Sequence, residues 1–204
     1  MNEKLTEIAC LIDRSGSMNH IRSDALDGFN AFLEGQKKVG GEARLSLVLF
    51  NDTYELVQEC VDIQDVPELD ETTYTPGGST ALLDAIGRTI DDIGKRLSDN
   101  SEEERPGKVI VAVLTDGLEN ASRVYTSYKV SDMIRHQEEA YNWEFIYLGA
   151  NQDAVLEAQK LSIRASNAVS WDSDSQGTRV AFNRLSADVR KRRVSHRKGK
   201  NVKK

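Results

Sequence analysis

Short apolar runs alternate with longer segments of helical periodicity along most of the chain. An unbroken apolar run is typical of a strand that is buried on both faces, and apolar residues recurring every three to four positions indicate an amphipathic helix. The runs predict strands at residues 6–13, 44–50, 54–61, 109–114, 145–148 and 168–171. The periodic segments predict helices at residues 21–38, 81–97, 127–141, 154–161 and 177–193.

The order of these elements predicts an α/β fold. Strands that alternate with helices, and that lack polar residues at every second position, favour a mostly parallel central sheet with helices on both faces, a three-layer sandwich. The strand at residues 54–61 is the exception, because only a short turn at Asn51-Asp52 separates it from the strand before. A hairpin of this kind predicts one antiparallel strand at an edge of the sheet.

Charge divides the chain into two parts. Nine of the 27 basic residues lie within residues 190–204, which contain no acid, so residues 1–189 hold 18 basic and 33 acidic residues, a net charge of −15. We therefore expect one domain over residues 1–189 and a basic, disordered tail over residues 190–204. The tail either offsets the acidic body as a solvated extension or binds nucleic acid or an acidic partner through nonspecific electrostatics.

Other bulk features favour a cytoplasmic protein. No apolar stretch approaches the roughly 18–20 residues of a membrane span, and the N-terminus enters a strand without the pattern of a signal peptide. Cys10 and Cys60 fall in predicted strands, and we expect both to be free thiols because cytosolic disulfides are rare. Two cysteines and three scattered histidines form no zinc-binding spacing.

The first predicted strand ends abruptly at Asp13, and short residues rich in oxygen follow it. Ser15 and Ser17 alternate with Arg14 and Gly16. Ligands of α/β folds bind beyond the carboxyl ends of the parallel strands, and hard oxygen ligands suit a hard cation such as Mg²⁺. This turn is a candidate cation site, and a polar turn that merely begins the next helix is the alternative.

Two further segments should reach the same edge of the sheet. Residues 77–80, Gly-Gly-Ser-Thr, precede the helix at 81–97, and Asp116-Gly117 follows the strand at 109–114. Thr80 and Asp116 would add one hydroxyl and one carboxylate to the oxygen cluster. Each also has a simpler interpretation, since Thr80 can cap its helix and Asp116-Gly117 can be a plain turn.

Together these motifs resemble those of the von Willebrand factor A domain. They are Asp-x-Ser-x-Ser at 13–17, Gly-Gly-Ser-Thr-Ala-Leu at 77–82 and Leu-Thr-Asp-Gly at 114–117, and the likeness covers residues 5–172. The resemblance implies a Rossmann-like fold with a metal-ion-dependent adhesion site. It implies Ser15 and Ser17 as direct ligands, Thr80 as a ligand in some states, and Asp13 and Asp116 acting mostly through bound waters. The stretch at 148–152 suggests a microbial or phage intracellular member.

The expected function is a divalent-metal-dependent protein-binding module without enzymatic activity. Neutral hydroxyl ligands leave a bound Mg²⁺ electrophilic, so that it favours an Asp or Glu carboxylate of a protein partner; Mn²⁺ and Ca²⁺ are alternative ions. The rival function is Mg²⁺-dependent phosphoryl transfer, which usually needs several direct carboxylates, a general base or a cationic clamp. Arg14 is the only cation near the site in sequence, and no Walker lysine follows Gly77-Gly78. A nucleic-acid accessory role for the basic tail is compatible with the first function.

Several polar residues near these motifs keep two interpretations. Glu119 and Asn120 either line the rim of the site or lie exposed in a turn. Asp84 either interacts with the helix dipole or supports the site, and His20 is expected to be exposed. Trp143 and Trp171 are interpreted as packing residues.

Overall fold

The computed structural model describes residues 1–150 and 153–198, with the side chains of the last two left out. These residues form six strands and five α-helices, which alternate except that two strands follow each other directly after the first helix. The strands are β1 (Asn2–Asp13), β2 (Glu42–Phe50), β3 (Tyr54–Asp62), β4 (Pro106–Thr115), β5 (Glu144–Ala150) and β6 (Ala168–Trp171). The helices are α1 (Arg22–Lys37), α2 (Leu82–Asp99), α3 (Ser127–Tyr141), α4 (Ala154–Lys160) and α5 (Ser175–Lys198), and a short 3-10 helix (Gly16–Ile21) precedes α1.

The strands form one sheet in the order β3-β2-β1-β4-β5-β6. Only the β2–β3 pair is antiparallel, and β3 lies at the edge. The predicted three-layer α/β sandwich, with a mostly parallel sheet and one antiparallel edge strand, is therefore confirmed. Because β1 and β4 are neighbours and run in the same direction, the loops after them emerge side by side.

Alternate residues of each strand serve two separate cores. Ile8, Cys10 and Ile12 of β1 face the layer that holds α1 and α5. Ala9 and Leu11 face the layer that holds α2, α3 and α4. A strand buried on both faces carries an uninterrupted apolar run, which is why the pattern of β1 predicts the strand but not which side chains face which layer.

The last helix crosses the boundary expected at residue 190. Helix α5 begins at Ser175 and continues to Lys198, so the part of the basic segment at residues 190–198 is helical rather than disordered. Arg193 is 1% exposed and donates to the carbonyl oxygens of Gln36, Val39 and Gly41 at 2.7–3.3 Å. Gln36 lies in the last turn of α1, and Val39 and Gly41 lie in the turn that follows it, so Arg193 anchors α5 to the end of α1. Residues 199–204 of the expected tail, and residues 151 and 152 of the stretch at 148–152, lie outside the described residues.

No helix in the described part of the chain is both long and apolar enough to cross a membrane.

Candidate metal centre

Asp13 ends β1 as a fully buried carboxylate. Its Oδ1 accepts a hydrogen bond from the backbone N–H of Ser15 at 2.6 Å, and its Oδ2 accepts from the hydroxyl of Thr115 at 2.6 Å. Burial raises the pKa of Asp13 to about 6, and the nearby charge of Asp116 adds to the rise, while these hydrogen bonds lower the pKa. A carboxylate held in this way, with neutral donors alone, is a position where a cation would be stabilised.

The two serines connect Asp13 to the end of β4. The Oγ atoms of Ser15 and Ser17 lie 3.1 Å apart. The hydroxyl of Ser17 donates to Oδ1 of Asp116 at 2.6 Å. The loops after β1 and β4 therefore meet through side-chain oxygens, as the parallel pairing of the strands predicts.

Thr80 completes the group beside Gly117. A Cβ placed on Gly117 would lie 2.8 Å from the Thr80 hydroxyl oxygen and 3.8 Å from Oδ2 of Asp13, so a side chain at this position would intrude between the two. Thr80 is buried, and within residues 1–150 and 153–198 its hydroxyl forms no hydrogen bond, whereas its N–H donates to Asn120. The structure thus brings all five predicted site residues together: Asp13, Ser15, Ser17, Thr80 and Asp116.

The capping interpretation of Thr80 is wrong. Helix α2 follows Ala81 and has no side-chain cap at that residue. Its first N–H groups are bound instead by the loop after β4, since Leu83 donates to Glu119 at 2.9 Å and Asp84 donates to the hydroxyl of Ser122 at 3.0 Å. The Thr80 hydroxyl is therefore left to the oxygen cluster.

The glycines at 77–78 hold the Thr80 loop against the serine turn. The N–H of Gly16 donates to the carbonyl of Gly78 at 3.0 Å, and the N–H of Gly77 donates to the carbonyl of Arg14 at 2.8 Å. Gly78 has a φ of +76°, and a Cβ there would lie 2.2 Å from Oδ1 of Asp52. Glycine is therefore required at position 78, whereas a Cβ on Gly77 would meet nothing within 4 Å, and the two backbone hydrogen bonds hold the loops together.

Residues outside the motifs support the cluster. Tyr74 is fully buried and donates its hydroxyl proton to the carbonyl of Asp13 at 2.7 Å. The side-chain oxygen of Asn120 accepts from the N–H of Thr80 at 2.9 Å. Asn120 and Glu119 therefore anchor loops to each other. Thr115 precedes Asp116 in the Leu-Thr-Asp-Gly motif, which is a local signal, but nothing local points to Tyr74.

Asp84 of α2 holds the loop after β4 in place through backbone hydrogen bonds. Its carboxylate accepts from the backbone N–H groups of Arg123, Val124 and Tyr125 at 2.8–3.0 Å. Partial burial raises the pKa of Asp84, but these three hydrogen bonds outweigh it and the pKa is lowered. Asp84 therefore stabilises the loop that carries Asp116 and Gly117.

His20 is exposed, as expected, and both of its ring nitrogens contact backbone carbonyl oxygens. Its Nδ1 lies 2.6 Å from the carbonyl oxygen of Ser17, and its Nε2 lies 2.8 Å from that of Ser173. A carbonyl oxygen only accepts hydrogen bonds, so this arrangement favours a proton on each ring nitrogen. The hydrogen bonds to Ser173 and Ser17 raise the pKa of His20. His20 thereby links the serine turn to the segment before α5.

The donor set fits a hard divalent cation. Three hydroxyls and two carboxylates, with no nitrogen or sulfur among them, are the ligand types that Mg²⁺, Mn²⁺ and Ca²⁺ prefer. No cluster of three or more His, Cys, Asp or Glu side chains suited to a metal occurs within the described residues. An ion at this edge would therefore depend on the hydroxyls as well as the carboxylates.

No protein-family model and no curated protein matches the sequence. Solved structures do match. They include proximal thread matrix protein 1 of the mussel byssus with a zinc-occupied MIDAS motif, at 17% identity and a TM-score of 0.60 over 94% of this chain and 46% of that one. A von Willebrand factor type A protein from Catenulispora acidiphila matches at 15% identity and a TM-score of 0.59, over 89% and 42%.

A third solved structure is the manganese-loaded TRAP protein of Plasmodium vivax. It matches at 17% identity and a TM-score of 0.61, over 88% of this chain and 73% of that one. The chain spans less than half of the mussel and Catenulispora proteins. At identities of 15–17%, the likeness establishes the fold.

Proposed function

Because the chain has the von Willebrand factor A fold, we propose that it is a divalent-metal-dependent protein-binding module that captures an acidic side chain of a partner. The observation that carries the proposal is the convergence of Ser15, Ser17, Thr80, Asp13 and Asp116 at one edge of the sheet. Two of the fold neighbours, the mussel protein and the Plasmodium protein, hold zinc and manganese, which supports a divalent cation.

The proposed roles follow from the chemistry of the side chains. Ser15, Ser17 and Thr80 would hold the ion through neutral hydroxyls, while Asp13 and Asp116 would orient water and hydroxyl donors around it. A bound divalent cation supplies a Lewis-acidic position that attracts an anionic oxygen. Mg²⁺ is our proposed ion, with Mn²⁺ and Ca²⁺ as alternatives, since all three accept an oxygen-only site.

We propose a binding role rather than phosphoryl transfer because Arg14, the cation nearest the site in sequence, is paired with residues away from the site. The guanidinium of Arg14 donates to Glu55 at 2.5 Å and to Thr53 at 3.2 Å, so it is turned toward β3 and the β2–β3 turn. Transferring a phosphoryl group needs a clamp on its equatorial oxygens. Adding Mg²⁺ and a generic phosphomonoester substrate should therefore produce no turnover, and turnover that is lost in Ser15→Ala would overturn the proposal.

A cytoplasmic location belongs to the same proposal. Both Cys10 and Cys60 are free thiols, which suits a reducing compartment. Labelling of intact cells with a membrane-impermeant thiol reagent should leave Cys60 unmodified, and modification before lysis would place the protein outside.

The metal site is tested by isothermal titration calorimetry of the full chain with Mg²⁺, Mn²⁺ and Ca²⁺. We expect one saturable site that is weakened at least tenfold in Ser15→Ala and in Asp13→Asn. Ser166→Ala, which removes an exposed hydroxyl far along the chain, is the matched control. Equal metal affinity in all four proteins would contradict the assignment.

Partner capture is tested separately with a library of immobilised peptides that contain one Asp or Glu. Binding should disappear with EDTA, return with Mg²⁺ and be lost when the acid is amidated. Binding that survives EDTA would overturn the proposed mechanism, even if the metal site itself is present.

A further inference from the structure

The outer face of helix α5 is unusually basic. The helix carries eight Lys and Arg residues and one acid, Asp188. Four of these cations are exposed on the side that faces away from the core, namely Arg179, Arg184, Arg190 and Lys191. We call this set the basic face.

The structure separates these cations from two neighbours that have structural roles. Arg193 is buried against the end of α1, and Arg192 binds Glu144 and Asn167. Two of the nine basic residues of the C-terminal segment are thus withdrawn from solvent. The basic face also includes Arg179 and Arg184, which precede that segment in the sequence.

The spacing of the basic face places its members in two rows. Arg179 and Arg190 are eleven residues apart, about three turns and roughly 16 Å along the axis. Arg184 and Lys191 are seven residues apart, about two turns and roughly 10 Å. The side chains of Arg190 and Lys191 form no hydrogen bond or ion pair with the described residues. By contrast, Arg184 pairs with Asp188 at 2.9 Å, and Arg179 donates to the carbonyl of Ser175.

The surroundings of the basic face identify the kind of partner. The apolar residues of α5 that face the core, among them Phe182 and Leu185, are buried, so they form no continuous apolar edge that could insert into a bilayer. Val180 is the one exposed large hydrophobic residue within the described part of α5, whereas the core of a protein interface is usually rich in aromatic and apolar residues. The exposed face also lacks aromatic side chains on which bases would stack.

We propose that the basic face binds the phosphate backbone of double-stranded nucleic acid without sequence preference. Phosphate contacts require exposed cations and neither apolar nor stacking groups. The acidic remainder of the molecule repels the same polyanion, so it orients the protein with α5 toward the duplex. This proposal is independent of the metal-dependent function.

The test is fluorescence anisotropy of a labelled DNA duplex of about 20 base pairs and mixed sequence, titrated with the full chain. Four phosphate contacts give a slope of about −3.6 for log K against log salt, or roughly a 150-fold loss of affinity between 50 and 200 mM KCl. The double variant R190E/K191E should bind at least tenfold more weakly at 50 mM KCl, and its slope should be shallower by about 1.8.

A control variant with the same change in net charge is K95E/R135E. Lys95 on α2 and Arg135 on α3 are exposed, and these helices cover the opposite face of the sheet. This variant should bind within about threefold of the parent, and EDTA should change neither affinity. Circular dichroism of both variants verifies that α5 remains folded.

Three results would overturn the proposal. The first is a parent protein that does not bind the duplex at 50 mM KCl, and the second is equal loss of affinity in the two double variants. The third is tighter binding of the parent to polyglutamate, or to vesicles containing anionic lipid, than to the duplex at equal charge concentration. That result would assign the basic face to an acidic polypeptide or a membrane surface instead.

Discussion

Gly28→Ala has two opposing effects on stability at the contact between α1 and α5: it favours the helix, and it crowds the packing between the two helices. A Cβ on Gly28 would lie 2.2 Å from Cδ2 of Phe182 and 2.8 Å from two more atoms of its ring. Ordinary carbon contacts are about 3.5–4.0 Å, and the ring is rigid and buried, so α5 must shift or the ring must leave its rotamer.

The magnitude can be worked from these two effects. Alanine is favoured over glycine within a helix by about 1 kcal/mol, whereas forcing a methyl group into a packed core costs about 1–3 kcal/mol. A separation of 2.2 Å lies far inside contact, so we take the upper part of that range, and a net loss of about 1–2 kcal/mol follows. For a domain of this size the melting temperature should fall by roughly 2–8 °C.

Gly94→Ala is the matched control. Gly94 lies within α2, and a Cβ there would meet nothing within 4 Å, so the helix propensity acts alone and the variant should gain about 0.5–1 kcal/mol. Urea unfolding followed by circular dichroism measures both changes. If Gly28→Ala is as stable as Gly94→Ala, α1 and α5 are not in the contact described, and the reasoning about Arg193 and α5 fails with it.

Three further predictions concern buried or loop-holding charges. Arg193→Met should lower the free energy of unfolding by about 2–4 kcal/mol in urea titrations, because the carbonyls in the last turn of α1 and in the turn after it lose their donor, while Arg193→Lys should lose less. An unchanged midpoint for the Met variant would refute the anchor. Because the pKa of Asp84 is lowered, its contribution to stability is present above the unfolded pKa of about 3.9 and is lost as pH falls through the lower folded pKa. Hydrogen exchange of the amides at 123–125 should therefore accelerate in acid. Asp84→Asn should show the faster exchange already at pH 7. Burial raises the pKa of Glu7 despite its bond to Arg96, so stability should fall as pH rises from about 4.5 through the folded value, and Glu7→Gln should remove that component of the pH–stability curve.

The architecture was predictable because buried parallel strands leave a strong local signal. The runs at residues 109–114 of β4 and 145–148 of β5 are apolar without interruption, that of β2 is broken only by Ser46 after Arg44, and the ends of all three agree closely with the predicted ranges. The start of β1 was missed because Asn2, Glu3 and Lys4 are polar, yet Asn2 bonds to the carbonyl of Arg105 at 2.7 Å. That pairing depends on a residue far along the chain and has no periodicity.

The same distinction explains what was missed around the site. Strand ends and short motifs predicted the five oxygen donors, because parallel topology brings such ends to one edge. The roles of Tyr74, Glu119 and Asp84 arise from hydrogen bonds that join separate loops, and composition or spacing does not reveal them. The end of α5 was placed too early for a similar reason, since Arg193 looks like a tail residue until its acceptors on α1 are known.

The central position of β1 has a consequence for the way the chain is made. All nine of its positions from Leu5 to Asp13 are buried, and one of its two neighbours, β4, begins only at Pro106. At roughly 5–20 residues per second of synthesis, β1 waits about 5–20 s after its own synthesis for that neighbour. During that interval one edge of β1 is unpaired, so we expect nascent chains that end before Thr115 to be the aggregation-prone species and the natural clients of a chaperone.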